Sequence, residues 1–539
     1  MTIKAAFIGL AVAAPLTIAA QIPTDSWPTY HGDYTGRRYS TITQINTANV
    51  KALTLAWVYR INTSRAGAIV GGEGPDTPPA GGPPQIKSTP LMINGTLYFS
   101  VPDHVYAIDA RTGRDVWHYA WKTRGGDHIG NRGVGILDNW LYFLTPDNYF
   151  VSLDVATGKE RWHHEIANMK REYFSTNAPM IIGRQVIIGV GGDALDIPGY
   201  LESRDPESGN LVWRWNTTPR AAGDAGGNTW PDEDAMAHGG GMPWIPGTYD
   251  PDLNLYYLGT GNPQPVLSGK SREGDNLWTC SIVALNPDTG KLVWWYQVSP
   301  HDTHDWDAAQ TPVIFDGVID GKPRKLLAQA NRNGHFFVLD RTNGKHVLTS
   351  LHTESLNWTK GLNDNGQPIP NPAKEAAIPG VLVSPDTNGA TNWPPPSFNP
   401  DTGLFYVSTV QSYSMFYLTD TDDRPQGWAA AERGLGSTGR ALKAIDYKTG
   451  KVRWTHPLAT TATGPAGGPM GLLSTAGKLL FGNDGGGNFV AYDPANGKPL
   501  WHAGLGTNTS NGPETYMLDG RQYVVVGAGD TLYAFALPR

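Results

Sequence analysis

One short pattern recurs along the chain and limits what it can fold into. Asp or Asn is followed by two residues, Thr/Ser/Asn-Gly, three more residues, and Trp. The copies are Asp109 to Trp117, Asp154 to Trp162, Asp205 to Trp213, Asn286 to Trp294, Asp446 to Trp454 and Asp493 to Trp501. A seventh, Asp340 with Asn343-Gly344, lacks the Trp. Apolar alternation before each Asp/Asn marks a strand. The Asx side chain and the Gly then make a tight turn, and the next strand carries its Trp at a fixed place on one face. One hairpin cannot bury that Trp, whereas a stack of similar sheets can.

Successive Asp/Asn positions step by 45, 51, 81, 54, 106 and 47. The step of 81 holds an insertion, Ala221 to Pro246. The step of 106 is twice 53, which predicts a unit without its signature between Asp340 and Asp446, filled by the strand-rich stretch Gly403 to Val410. Seven motifs and this hidden one make eight units of four strands, an all-β eight-bladed β-propeller. The last strand, Thr531 to Ala536, is expected to pair with sheet near the N-terminus and close the ring.

Composition agrees. The 539 residues include 65 Gly and 42 Pro, a turn-rich content, together with 19 Trp for a core. Only 17% are charged, which excludes a charge-laced helical bundle or coiled coil. Net charge is −7 with no Lys/Arg cluster, so no nucleic-acid partner is expected. Cys280 is the single cysteine, so there is no intramolecular disulfide and no CxxCH haem attachment site. Residues 1–20 carry Lys4 and then an apolar, small-residue run that is short for a membrane span. They read as a signal peptide, leaving residues 21–539 as a single exported propeller domain with no membrane span.

Function should sit where the repeat fails. Ser299 to Asp307 packs His301, Asp302, His304, Asp305 and Asp307 into a few positions. Asp305 and Asp307 share a face if extended, and two such carboxylates call for a cation, a hard one such as Ca²⁺. His301 and His304 could pair on zinc, but no third soft ligand supports it. Asn262, in Gly259-Thr-Gly-Asn-Pro263, offers a neutral oxygen to a metal. Trp244 follows three glycines and suits the floor of an aromatic cofactor site. Arg132 and Arg332 each stand among Gly and Asn, where a guanidinium reaches carboxylates or carbonyls.

Together with Tyr34 to Ser40, Thr43 to Asn46 and Leu55-Ala-Trp57, these motifs resemble the PQQ (pyrroloquinoline quinone)-dependent alcohol dehydrogenases, eight-bladed quinoproteins that include methanol dehydrogenase. The resemblance runs from Trp27 to the C-terminus. It implies oxidation of an alcohol, polyol or sugar hydroxyl, and PQQ with Ca²⁺ or a lanthanide ion as cofactors. It also implies a periplasmic location and a cytochrome c-type acceptor; homodimerisation is left open. Asp305 matches the base and metal ligand, and Arg332 the basic residue near the quinone oxygens. Arg132, Thr176, Gly191, Gly192, Trp244, Asn392 and Trp393 match cofactor-binding positions. Asn262 and Asp307 match metal ligands, Asp307 being the extra carboxylate of the lanthanide-using branch.

Three departures mark a divergent branch. The family's vicinal disulfide falls at Gly126 to Gly130, where there is no cysteine. Its metal-binding Glu falls at Ala194, with Asp193 or Asp196 as substitutes. An acidic position falls at Lys87. The alternatives are a quinoprotein that has lost its cofactor or metal, and a non-catalytic propeller similar to the outer-membrane assembly lipoproteins.

Overall fold

The computed structural model describes residues 22–63, 67–76, 84–192, 196–459 and 470–539. The signal-peptide segment, Asp193 and Ala194 lie outside the described residues.

Each repeat folds as an antiparallel sheet, and the eight sheets follow one another along the chain. The first blade is Leu91–Ile93, Thr96–Val101, His104–Asp109 and Asp115–Trp121. Further blades span 135–165, 180–216, 248–297, 313–351, 381–458 and 473–504. The eighth combines Glu514–Leu518, Arg521–Ala528 and Thr531–Ala536 with Thr54–Arg60 from the other end of the chain. The expected closure is therefore present, with Trp57 opposite Ala534 and Arg60 opposite Thr531.

The recurring Trp docks blade to blade. The indole N–H of Trp117 donates to Val155 O (2.9 Å), Trp162 to Glu207 O (2.9 Å), Trp213 to Pro287 O (2.8 Å) and Trp294 to Arg341 O (3.1 Å). Each acceptor lies in the turn of the next blade. That turn's glycine, at positive φ, lies directly against the ring: a Cβ on Gly158 would come within 2.5 Å of Trp117, and one on Gly344 within 2.5 Å of Trp294. Trp454 and Trp501 dock the same way, onto Pro494 O and Leu53 O. Trp57 does so on Ala110 O and Gly113, so the closing strand also carries a docking Trp. The fifth blade has no such Trp, and Leu348 and Ser350 face Gly450 instead.

One expectation is corrected. No hidden blade separates Asp340 from Asp446. Gly403 to Val410 enters the strand Leu404–Leu418, which pairs with Ala430–Asp446, so Asp446 ends a strand of that same blade. The extra length lies in 352–380, with a small hairpin of Thr359–Leu362 and Pro368–Pro370, and in the two unusually long strands of the blade that follows. The eighth blade, whose turn lacks the motif, is the closing one.

Candidate active site

A cavity of about 1060 Å³ receives residues from every blade. Seven contribute the segment just before their first strand: Gln85 and Lys87, Ile129 and Arg132, Phe174 and Thr176, Met242 and Trp244, Asp305 and Asp307, Gly471, and Asn508 to Asn511; the sixth blade contributes Asn388, Gly389, Asn392 and Trp393, between Val381–Val383 and Ser397–Asn399. Asn262 and Arg332 join them from the ends of the strands Leu255–Gly259 and Lys322–Ala330. A ring of repeats thus converges its connections on one place, which is why a site forms there.

Asp305, Asp307 and Arg332 form the polar centre. Arg332 is buried; its Nη1 donates to Asp307 Oδ2 (2.8 Å) and its Nη2 to Asp305 Oδ2 (2.9 Å). Burial alone disfavours its charge, but the two carboxylates outweigh that and hold Arg332 firmly cationic. Asp307 also accepts the Trp244 indole N–H (2.8 Å) and the Asn262 backbone N–H (2.6 Å). Burial raises the Asp307 carboxyl, and these donors with Arg332 oppose the rise. Asp305 sits at φ 64°, a left-handed position that turns its side chain onto the cavity wall while Trp306 buries behind it.

Arg132 lies between two indoles, with Cζ 4.9 Å from the Trp244 ring and 5.1 Å from that of Trp393. Burial lowers it to about 10, although Tyr30 opposes that. Its Nε and Nη1 are buried without a hydrogen-bond partner among the described residues, as is Arg332 Nε. Buried guanidinium N–H groups of this kind need an anionic or carbonyl acceptor. A flat aromatic wall, cationic donors and converging carboxylates fit a planar, multiply carboxylated quinone and a hard cation.

Arg132, Thr176, Trp244, Asn262, Asp305, Asp307, Arg332, Asn392 and Trp393 all line the cavity as expected. Gly191 and Gly192 do not reach its wall. Gly191 pairs with Phe174 and packs against Met242, and Gly192 O accepts the Gln264 side-chain N–H (2.7 Å), so they back the wall. Asp196 is also elsewhere: it holds His238 (2.6 Å) and the Gly427 N–H (2.6 Å). His301 and His304 do not converge on a zinc ion. His301 Nδ1 meets Gly274 O (2.7 Å), and His304 Nε2 meets Lys374 O (2.9 Å) with its ring stacked on Trp306.

In place of a cysteine ring, the segment at 126–130 is tied by His128 to Asp103 (2.6 Å) and by Lys87 Nζ to Ile129 O (2.6 Å). Burial, and then Arg132, lowers Lys87 below the usual amine range.

Asp386, Thr387, Glu432 and Asn508 to Asn511 were not singled out by sequence. The repeat register holds a usable signal for such residues: Arg132 stands 23 positions after Asp109, and Thr176 22 after Asp154. Asn508 to Asn511 follow Asp493 at the shorter offset of 15 to 18.

The chain's similarity to known proteins fits this site. A family profile described as "Glucose/ethanol/alcohol dehydrogenase, beta-propeller domain" matches residues 27–354 and 439–524. The quinohemoprotein alcohol dehydrogenase of Comamonas testosteroni is 37% identical, over 94% of this chain and 73% of that protein. The chain belongs to the PQQ-dependent alcohol dehydrogenases. Within this family, quinoprotein alcohol dehydrogenase PedH of Pseudomonas putida is 34% identical, over 92% of this chain and 84% of its own. The 1-butanol dehydrogenase (cytochrome c) of Thauera butanivorans is 30% identical, over 93% of this chain and 74% of its own. The crystal structure of the Comamonas enzyme superposes with a TM-score of 0.83 at 34% identity, covering 96% of this chain and 81% of that one. A europium-containing methanol dehydrogenase superposes at 0.80 with 29% identity, covering 95% and 98%. The protein is therefore an enzyme, a quinoprotein alcohol dehydrogenase, and the scaffold alternative falls away.

Proposed function

We propose that this cavity binds PQQ together with Ca²⁺ or a lanthanide ion and oxidises an alcohol hydroxyl, with Asp305 as general base. The observation that carries the reading is the convergence of Asp305, Asp307, Arg332 and Asn262 with Trp244 and Arg132 in one cavity.

Arg132, Thr176, Trp244, Asn392, Trp393 and Arg332 would hold the quinone. Asn262, Asp305 and Asp307 would hold the metal, with Asp193 as a further carboxylate. When bound, PQQ supplies the two-electron acceptor and the metal supplies Lewis acidity. The chain's own residues do the rest. Asp305 accepts the substrate hydroxyl proton at its carboxylate, which is partly exposed to the cavity. Arg332 aims that carboxylate and offers its positive charge beside the reacting centre. Asp307 fixes the Trp244 indole and the Asn262 backbone, so wall and metal ligands share one anchor.

Asp307 adds a second carboxylate that suits a trivalent ion, and the similarity to a europium-containing enzyme supports lanthanide use here. The cytochrome c named for one relative supports a cytochrome c acceptor. Residues 1–20 support export to the periplasm, and no helix among the described residues is long and apolar enough to cross a membrane.

Reconstitution with PQQ and either Ca²⁺ or La³⁺, followed by dye-linked oxidation of a panel of alcohols, polyols and sugars, tests the proposal. Activity that requires both additions is expected. Neither PQQ uptake nor turnover with either metal would overturn it.

A further inference from the structure

The two long strands Leu404–Leu418 and Ala430–Asp446 carry Tyr413 and Glu432 to the cavity, and their connection brings Trp428. Their tip is fastened across the molecule. The Gly427 N–H donates to Asp196 Oδ1 (2.6 Å), the Val266 N–H to Gly427 O (2.8 Å), and Arg424 pairs with Asp232 and Asp234.

Glu432 does one specific thing there. Its carboxylate accepts both hydrogens that Thr387 can donate, the backbone N–H at Oε2 (3.1 Å) and the hydroxyl at Oε1 (2.5 Å). Thr387 O in turn accepts from Arg332 Nη2, the nitrogen that also donates to Asp305. The turn from Asp386 to Gly389 lies against Arg332. Gly389, at φ +79°, sits so close that a Cβ there would come within 2.6 Å of Arg332 Cβ, and the next N–H, of Ala390, donates to Arg332 O (2.8 Å).

We propose that Glu432 is a positioning residue for the reaction: it pins Thr387, and through Thr387 O it aims Arg332 at Asp305. The inference rests on the reading of Asp305 and Arg332 as acting groups. A long side chain such as Arg332 has many rotamers, and a carbonyl fixed from behind selects one. Glu432 touches neither Asp305 nor Arg332 in any hydrogen bond described above.

The test uses full-length protein. Glu432→Ala should lower kcat about tenfold while KM and PQQ affinity, read by fluorescence quenching of the cofactor-free protein, stay within about threefold. Thr387→Val should lower kcat in the same sense, and Thr387→Ser should restore it. In an Arg332→Lys background Glu432→Ala should cost little more. A rise in KM with kcat unchanged, or an equal loss in both backgrounds, would overturn the proposal. If Glu432→Ala does not fold, Glu432→Gln replaces it, since one amide oxygen keeps one of the two contacts. Wild-type protein that neither binds PQQ nor turns over would instead count against the parent reading. In that case unfolding midpoints of cofactor-free Glu432→Gln, Arg332→Lys and the double variant still decide. Shifts that fall short of adding support the coupling, and additive shifts overturn it.

Discussion

Asp305 and Asp307 share a guanidinium but face different demands. Asp305 is partly exposed, so its removal takes away a reacting group and little packing. Asp305→Asn is expected to lower kcat at least about 100-fold, the scale of a lost general base, with an unchanged unfolding midpoint. Steady-state rates and thermal unfolding of the same sample check both halves. Asp307 has no such freedom, because it holds Arg332, Trp244 and the Asn262 backbone together. Asp307→Ala would strand three donors, so Asp307→Asn is the better probe of its metal role. It should depress La³⁺-supported turnover more than Ca²⁺-supported turnover, measured by metal titration at fixed PQQ. Equal loss with both ions would remove the lanthanide assignment.

At the scale of the strand and its turn, the docking Trp is the unit of stability. Trp294 is buried, donates to Arg341 O and covers Gly344. Trp294→Ala should cost about 3–5 kcal/mol, read from denaturant midpoints, and Trp294→Phe should keep most of that while losing the indole hydrogen bond. Gly344→Ala should also destabilise, because φ is +71° and the ring leaves no room for a methyl group. These positions were legible in the sequence because each blade repeats one local problem in the same residues. The acidic pair at 305 and 307 was legible because it interrupts that repeat. Glu432 and Thr387 were not. Each occurs once, outside the repeat, and they acquire a role only when a turn and a strand 45 positions apart meet. The closing pair was legible in the last strand, but the eighth blade was sought between Asp340 and Asp446 because the closing blade's own turn lacks the motif.

For the whole molecule, buried histidines and buried carboxylates pull the response to acid in opposite directions. His301, His304 and His352 are lowered to about 4, and His31 and His335 to about 3, in each case chiefly by burial. The unfolded chain binds these protons near pH 6.5 and the folded chain only well below it. Stability from them is therefore fully present above about pH 6.5 and is lost as pH falls toward 4. Asp302, raised to about 6 by burial, acts in the opposite direction, as do Asp33, Asp307, Glu375, Asp386 and Glu514, whose carboxyls burial also raises. Against wild type, His304→Gln should lose less unfolding midpoint between pH 6.5 and 4, read from thermal unfolding across that range; an identical pH profile would remove the contribution of His304.

Closure by Thr54–Arg60 on Thr531–Ala536 has a consequence for biosynthesis. Until the final strand has been made, Thr54–Arg60 is an unpaired sheet edge, and Trp57 reaches its seat over Gly113 from a strand that has no sheet of its own. The nascent protein must carry that sticky edge through almost its entire synthesis. A shortened product ending before residue 531 would expose it permanently and should be the form that aggregates.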